Sequence, residues 1–270
     1  MIKIKTIIFL LIRKLIYISL GSTDQFLGRK SNIVILCYHS ISNNNWIFNT
    51  KLSDLDKQMK YMISKYNPIS LEDLYMYLAG NKAIRRPSFV INFDDGYKNI
   101  TSSIKLFKKY NIKPTVFLVA DSLKVDREEL RNNYPFLSAD NIKNLRSNGW
   151  EFGSHGLTHR AFNRCNNRDI LKEIKESKQL LQKRIGCKVD YISYPFGLYS
   201  EKVLKVVKNS GYKLGLTMND QFFTSSINTC EVPRIGVNAS HSISEFKYLS
   251  SPSVIWFRGF IKKYIYKGFI

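Results

Sequence analysis

Cysteine is scarce in this 270-residue chain, which holds only Cys37, Cys165, Cys187 and Cys230. None forms a C-x-x-C pair, so the spacing spells neither a cysteine-ligated zinc site nor a disulfide framework, and reduced structural thiols are expected. Acidic residues are also few: 21 Asp and Glu stand against 42 Lys and Arg, a formal net charge of +21. That balance suits an anionic partner, either nucleic acid or membrane headgroups, while the abundance of Lys, Asn and Ile fits compositional drift equally well. A further absence argues against nucleic acid, because no helix-turn-helix, zinc-finger or ribonucleoprotein signature is present. No internal repeat or low-complexity tract interrupts the chain, and no uninterrupted apolar run has the length of a bilayer span.

That last absence shapes the reading of both ends. Segment 1–20 (MIKIKTIIFLLIRKLIYISL) starts like a signal peptide, but Arg13 and Lys14 break the apolar run from Thr6 to Ile12 and no small-residue cleavage site follows. Segment 254–270 (VIWFRGFIKKYIYKGFI) interleaves aromatic and β-branched residues with Arg258, Lys262, Lys263 and Lys267 and contains no acid. Both read as basic amphipathic helices lying in an anionic membrane interface, with ordinary terminal helices packed on the domain as the alternative. The expected organisation is a basic amphipathic segment over residues 1–30, one catalytic domain over 31–250 and a basic aromatic segment over 251–270. The expected location is membrane-associated, peripheral on the cytoplasmic face, or alternatively the cell envelope with an uncleaved N-terminal anchor.

Between the ends, apolar runs of strand length alternate with helix-period segments, the pattern of repeated β-α units around a mainly parallel sheet. Strands are expected at Ile33 to Tyr38, Asn67 to Ser70, Ser88 to Phe93, Thr115 to Ala120, Trp150 to Gly153, Val189 to Tyr194, Tyr212 to Leu216 and Glu231 to Val237. Helices are expected after a Ser53 cap, over Tyr97 to Tyr110, and, as the longest, over Asn167 to Ile185 with Ile170, Ile174 and Leu181 inward and Glu173 and Glu176 toward water. Seven or eight such strands either close into a barrel or remain an open doubly wound sheet. In both architectures a site is built at the C-terminal strand ends, where Asp94, Asp95, His155 and His39 fall.

Two adjacent carboxylates after a buried strand raise one another's pKa, a cost that a bound cation relieves, although a plain Asp-Gly turn gives the same local pattern. With four histidines in the chain, His155 and His159 lie four residues apart after a short strand and can face one centre. One carboxylate and two imidazoles make a three-ligand site that leaves positions for water and substrate, the layout of a catalytic metal. The second carboxylate is then free to take a proton from water.

These residues carry a resemblance. Asn92-Phe93-Asp94-Asp95-Gly96 resembles the T-F-D-D-G motif of the NodB-homology polysaccharide deacetylases, carbohydrate esterase family four. His155-Gly156-Leu157-Thr158-His159 resembles the family's H-[ST]-x-x-H motif, and Tyr194-Pro195-Phe196-Gly197 its R-P-P-[YF]-G motif. Tyr38-His39-Ser40 resembles the Y-H-x motif of the subgroup that includes poly-N-acetylglucosamine deacetylases and enzymes of surface-polysaccharide gene clusters. The resemblance covers residues 33 to 237 and implies a distorted (β/α) barrel of about seven strands. It further implies a metal-dependent hydrolase acting on an N-acetylated glycan, with Asp94 as base and Asp95, His155 and His159 holding a divalent metal, zinc first and cobalt, nickel or manganese as alternatives. Tyr194, Pro195, Phe196 and Gly197 would line the substrate groove, their backbone N–H groups near the oxyanion.

The chain departs from the pattern in three places. Gly156 stands where Ser or Thr would orient the ligands, with Thr158 a candidate substitute. Ser193 replaces the arginine that holds the catalytic aspartate, and Arg234 is expected to supply that charge or to face the substrate. The late L-x-H motif with its proton-donating histidine is missing, which leaves His39 and His241 as candidates. Two rival readings follow: an esterase removing O-acetyl groups, whose easier leaving group needs no strong acid, and a glycan-binding homologue that has lost the chemistry.

Overall fold

The computed structural model describes residues 2–125, 130 and 134–264; Lys267 of the basic C-terminal segment lies outside them. The chain begins with helix α1 (Ile2–Phe26), followed by β1 (Ile33–Tyr38), the short strands β2 (Ser40–Ile41) and β3 (Asn49–Thr50), α2 (Leu52–Lys65), β4 (Asn67–Pro68), α3 (Leu71–Leu78) and β5 (Ser88–Phe93). Next come α4 (Ile104–Lys109), β6 (Thr115–Leu118), α5 (Ala139–Ser147), β7 (Glu151–Ser154), α6 (Asn167–Leu171) and α7 (Ser177–Ile185). The chain then runs through β8 (Tyr191–Ser193), α8 (Glu201–Asn209), β9 (Leu214–Leu216), β10 (Ile235–Gly236), α9 (Ile243–Phe246) and α10 (Pro252–Tyr264).

IVILCY and SFVINF are rich in β-branched and aromatic side chains and are buried at every position, as parallel strands covered on both faces require. They pair in parallel from Ile33 opposite Ser88 to Tyr38 opposite Phe93, so the next residues, His39 and Asp94, emerge side by side. The main sheet runs β10-β1-β5-β6-β7-β8-β9, all parallel, with β4 beside β5. Val232 bridges to Leu216 of β9 while Ile235 pairs with Leu36 of β1. The segment between them therefore touches both ends of the sheet and curls it into the distorted barrel, which removes the open-sheet alternative. Phe93, Phe107 and Trp150 pack together between sheet and helices, with centroid separations of 5.3–5.8 Å.

Several local expectations are corrected. The helix after β3 starts at Leu52, with Lys51 at its cap and no side-chain cap, so Ser53 sits inside the first turn. Tyr97 to Tyr110 divides into a 3-10 turn (Lys98–Ser103) and α4, and Glu231 to Val237 forms regular ladder only at Ile235–Gly236. The segment Asn167 to Ile185 is continuous, but its middle, Lys172–Glu176, is a π-helix, and Glu173 within it is buried rather than turned to water.

The largest correction concerns the N-terminus. The apolar run broken at Arg13 and Lys14, read as too short to span a bilayer, continues past them: α1 has 25 residues, and Thr6–Phe26 is long and apolar enough to cross a membrane by length and composition. The charge is tolerated because the Arg13 guanidinium donates to Glu245 at 2.9 Å and to Ser240 Oγ at 2.9 Å. Asp24 accepts from Ser253 N at 2.6 Å and Ser253 Oγ at 2.8 Å at the start of α10, and Tyr17 is buried in the main core. α1 is thus packed on α9 and α10 along one side. Ile7, Ile8, Phe9, Leu11, Ile12 and Leu15 of α1 are nevertheless exposed, as are Trp256, Phe260 and Tyr264 of α10.

Candidate active site

β5 delivers Asp94 and Asp95 to its C-terminal end. Asp95 has φ of 69° and Gly96 of 77°, so the strand breaks abruptly; a Cβ on Gly96 would also lie 2.6 Å from Leu118 Cδ2, which makes glycine the fitting residue there. β7 delivers His155, and the chain loops back within four residues to His159, whose φ of 64° lies in the left-handed region that non-glycine residues seldom occupy. Left-handed non-glycine backbone of this kind costs about 1–3 kcal/mol per residue and persists where its surroundings enforce it.

The result is convergence. Asp95 Oδ1 lies 3.3 Å from His155 Nε2 and 3.2 Å from His159 Nε2, and the ligand atoms of all three residues fall within 4.8 Å of one another, all buried. His155 Nδ1 lies 3.0 Å from the Ser193 carbonyl. A carbonyl only accepts, so Nδ1 carries the proton and Nε2 presents its lone pair to the centre. Among the described residues Asp95 Oδ1 has no aligned hydrogen-bond donor despite its burial, and an unsatisfied buried oxygen aimed at two imidazole nitrogens is what a divalent cation would complete. Burial lowers the His155 pKa, yet Asp94 and Asp95 outweigh it and raise the group above its ordinary value, so the pocket favours positive charge.

Asp94, 3% exposed, is held differently. Arg234 donates from Nη1 to Oδ1 at 2.7 Å and from Nη2 to Oδ2 at 2.7 Å, and Ser193 Oγ donates to Oδ2 at 3.0 Å. Burial pushes this carboxyl up, but the Arg234 guanidinium and His155 bring it well below the usual carboxylate range. Asp94 is therefore an anion next to the ligand triad, its Oδ2 4.0 Å from His155 Nε2. Arg234 supplies the charge missing at Ser193, and because it is fully buried it faces Asp94 rather than any substrate.

The other expected residues divide. Tyr194 is fully buried and donates to the Cys230 carbonyl at 2.6 Å, so it supports the turn instead of lining a groove. Pro195 is buried too. Phe196 is exposed, has φ of 59°, and sets its ring edge-on to His159 at 4.7 Å. The Gly197 N–H already donates to the Tyr194 carbonyl at 2.8 Å and Pro195 has no N–H, which leaves Phe196 as the turn's remaining N–H for an oxyanion. His39 stands beside Asp94, its Nδ1 buried without a partner among the described residues, in a group with Cys37 and Asp94 whose ligand atoms lie within 4.8 Å of one another. His241 is elsewhere: its Nδ1 accepts from Asn238 N at 3.3 Å, and it lines an apolar pocket between α1 and α10. Burial first, then Arg258 and Arg13, push its pKa well down, while burial also lowers that of His39 against the opposing charges of Asp95 and Asp94, so it is position beside Asp94 that favours His39 over His241.

Two further residues were not anticipated. Phe48 is exposed and packs 4.8 Å from the His39 ring; it lies in a loop where no periodicity points to it. Glu173 accepts from Leu157 N at 2.8 Å, from Thr158 N at 3.0 Å and from Thr158 Oγ1, directly behind the histidine loop.

Known proteins resemble this chain in sequence and in fold. The polysaccharide deacetylase family model matches residues 81–215, half of the chain. A Bacillus subtilis (strain 168) protein named for polysaccharide deacetylation, YxkH, is 26% identical over 220 residues, covering 81% of this chain and 76% of its own. Poly-beta-1,6-N-acetyl-D-glucosamine N-deacetylase of Staphylococcus aureus is 28% identical over 224 residues, covering 77% of this chain and 74% of that protein. Among solved structures, Streptococcus pyogenes deacetylase PplD in complex with acetate superposes with a TM-score of 0.71 at 23% identity, covering 83% of this chain and 100% of that one. IcaB from Ammonifex degensii gives 0.69 at 17% identity, covering 83% and 97%; both establish the shared fold. The chain is a member of the polysaccharide deacetylase family, the NodB-homology hydrolases of carbohydrate esterase family four.

Proposed function

We propose that the protein removes N-acetyl groups from amino sugars of a surface polysaccharide or its lipid-linked precursor. The observation that carries this reading is the adjacency of an Arg234-paired Asp94 to the buried Asp95, His155 and His159 triad. Asp95, His155 and His159 would hold the ion, zinc first with cobalt, nickel or manganese as alternatives. When bound, the ion supplies Lewis acidity to the acetyl carbonyl and to the attacking water. Asp94, kept anionic by Arg234, takes the proton from that water. The Phe196 N–H faces the developing oxyanion, and His39 delivers a proton to the leaving amine. Phe48 and Phe196 give the sugar two apolar walls.

The outward apolar residues of α1, with Trp256, Phe260 and Tyr264 of α10, support attachment to an anionic membrane surface. Peripheral attachment on the cytoplasmic side and anchorage in the cell envelope are the two placements consistent with that surface.

Acetate release from N-acetylglucosamine oligomers, measured with zinc-loaded protein beside Asp94→Asn, tests the reading. Release that vanishes in the variant is expected. Release from O-acetylated but not N-acetylated sugars would replace the amide by an ester as the bond cleaved.

A further inference from the structure

The loop from Ser154 to His159 places both histidines, and several hydrogen bonds tie its backbone down. The His155 N–H donates to the Leu118 carbonyl at 2.8 Å; the Gly156 and Leu157 carbonyls accept from Ala120 N at 3.0 Å and Asp121 N at 2.7 Å. The Gly156 N–H reaches Ser154 Oγ at 3.2 Å. The N–H groups of buried Leu157 and half-buried Thr158 both donate to a single Glu173 oxygen, while the other accepts the Thr158 hydroxyl. Buried backbone N–H groups need such partners, and an ionised acceptor binds about twice as strongly as a neutral one.

Glu173 reaches the loop from the π-helical turn Lys172–Glu176, an arrangement common where a helix serves a site. The same carboxylate explains the missing Ser or Thr. Gly156 has φ of 82°, and a Cβ there would lie 3.0 Å from Glu173 Oε2 and 3.1 Å from the Phe162 ring. A carboxylate from outside the loop thus occupies the space beside the position where the family motif keeps a hydroxyl.

We infer that Glu173 is the positioning residue of the metal site, fixing residues 156–158 so that His155 and His159 aim at one centre with Asp95. This rests on the metal-site reading above. Glu173→Gln keeps the shape but turns an amide donor toward an N–H or a hydroxyl, and Glu173→Ala removes both acceptors; Thr158→Val deletes one contact and serves as the mild variant.

The experiment loads each protein with Co²⁺, records its visible absorption, and measures affinity by competition with a chelator, alongside thermal unfolding of the metal-free forms. The expected result is a 10- to 100-fold loss of cobalt affinity in Glu173→Gln, with altered absorption bands and a smaller loss in Thr158→Val. Glu173→Gln that unfolds at a lower temperature yet binds cobalt with wild-type affinity and spectrum would overturn the inference and leave Glu173 a packing residue. A wild-type protein that takes up no cobalt would instead overturn the metal-site reading itself.

Discussion

Replacing Arg234 by methionine probes the core of the site. The guanidinium is fully buried, donates to both oxygens of Asp94 at 2.7 Å, to Ser193 Oγ at 2.6 Å and to the Thr217 carbonyl at 3.1 Å. Removing it strands a buried carboxylate, which costs about 3–5 kcal/mol, whereas replacing both members of such a pair is often close to neutral. Arg234→Met is therefore expected to be the least stable variant, and Asp94→Asn/Arg234→Met to recover about 2 kcal/mol or more of the loss. Urea unfolding of metal-free protein, followed by circular dichroism at constant m-value, measures the cycle. In melting temperature the single variant should fall by roughly 6–20 °C, taking about 2–4 °C per kcal/mol for a domain of this size. Acetate release should disappear in both variants. An Arg234→Met protein within about 1 kcal/mol of wild type, or a double variant no more stable than the single, would refute the view that this pair is a desolvated, mutually dependent unit.

Other perturbations separate the remaining roles. Phe48→Ala and Phe196→Ala remove exposed rings, so each should raise KM for the glycan several-fold while changing stability by no more than about 0.5 kcal/mol; an unchanged KM would remove them from the sugar site. His39→Gln should lower kcat at unchanged metal affinity, whereas His241→Gln should leave kcat as it is, and the reverse order would reassign the proton donor. Burial raises the Asp24 carboxyl, but bonds from Ser251 and Ser253 and the charge of Arg29 outweigh it and lower the pKa below 3.8. Its contribution to the α1–α10 contact is thus full at neutral pH and is lost as pH falls through the depressed value. Asp24→Asn should flatten the acid limb of thermal stability below pH about 4, and an identical limb in both proteins would show that this carboxyl is not linked to folding.

The strands were readable because short runs of β-branched and aromatic residues end in polar ones, and the same rule put Asp94, Asp95 and His155 at one barrel edge. Glu173 was misread for a geometric reason: at 3.6 residues per turn it lies only about 60° from the Ile170 direction, at the margin of the core face, where a charged residue is taken to face water. What turns it inward is two orphan N–H groups in a loop 15 or 16 residues earlier, which no local pattern announces. Arg13 misled in the same way. A charge in an apolar run makes the run look too short to span a bilayer until its partner, Glu245, is brought alongside from 232 residues away.

Asp94 and Arg234 are 140 residues apart in the chain, and this separation orders events during synthesis. The strands bearing Asp94, Asp95, His155 and His159 leave the ribosome well before the segment that carries the guanidinium and joins β9 to β1. Until that segment emerges, the growing polypeptide lacks both the residues that bridge β9 to β1 and the guanidinium that pairs with Asp94. A nascent chain stalled after Ser226 should accordingly remain protease-sensitive around Asp94, and a few residues past Val237 clear of the tunnel should suffice to close it.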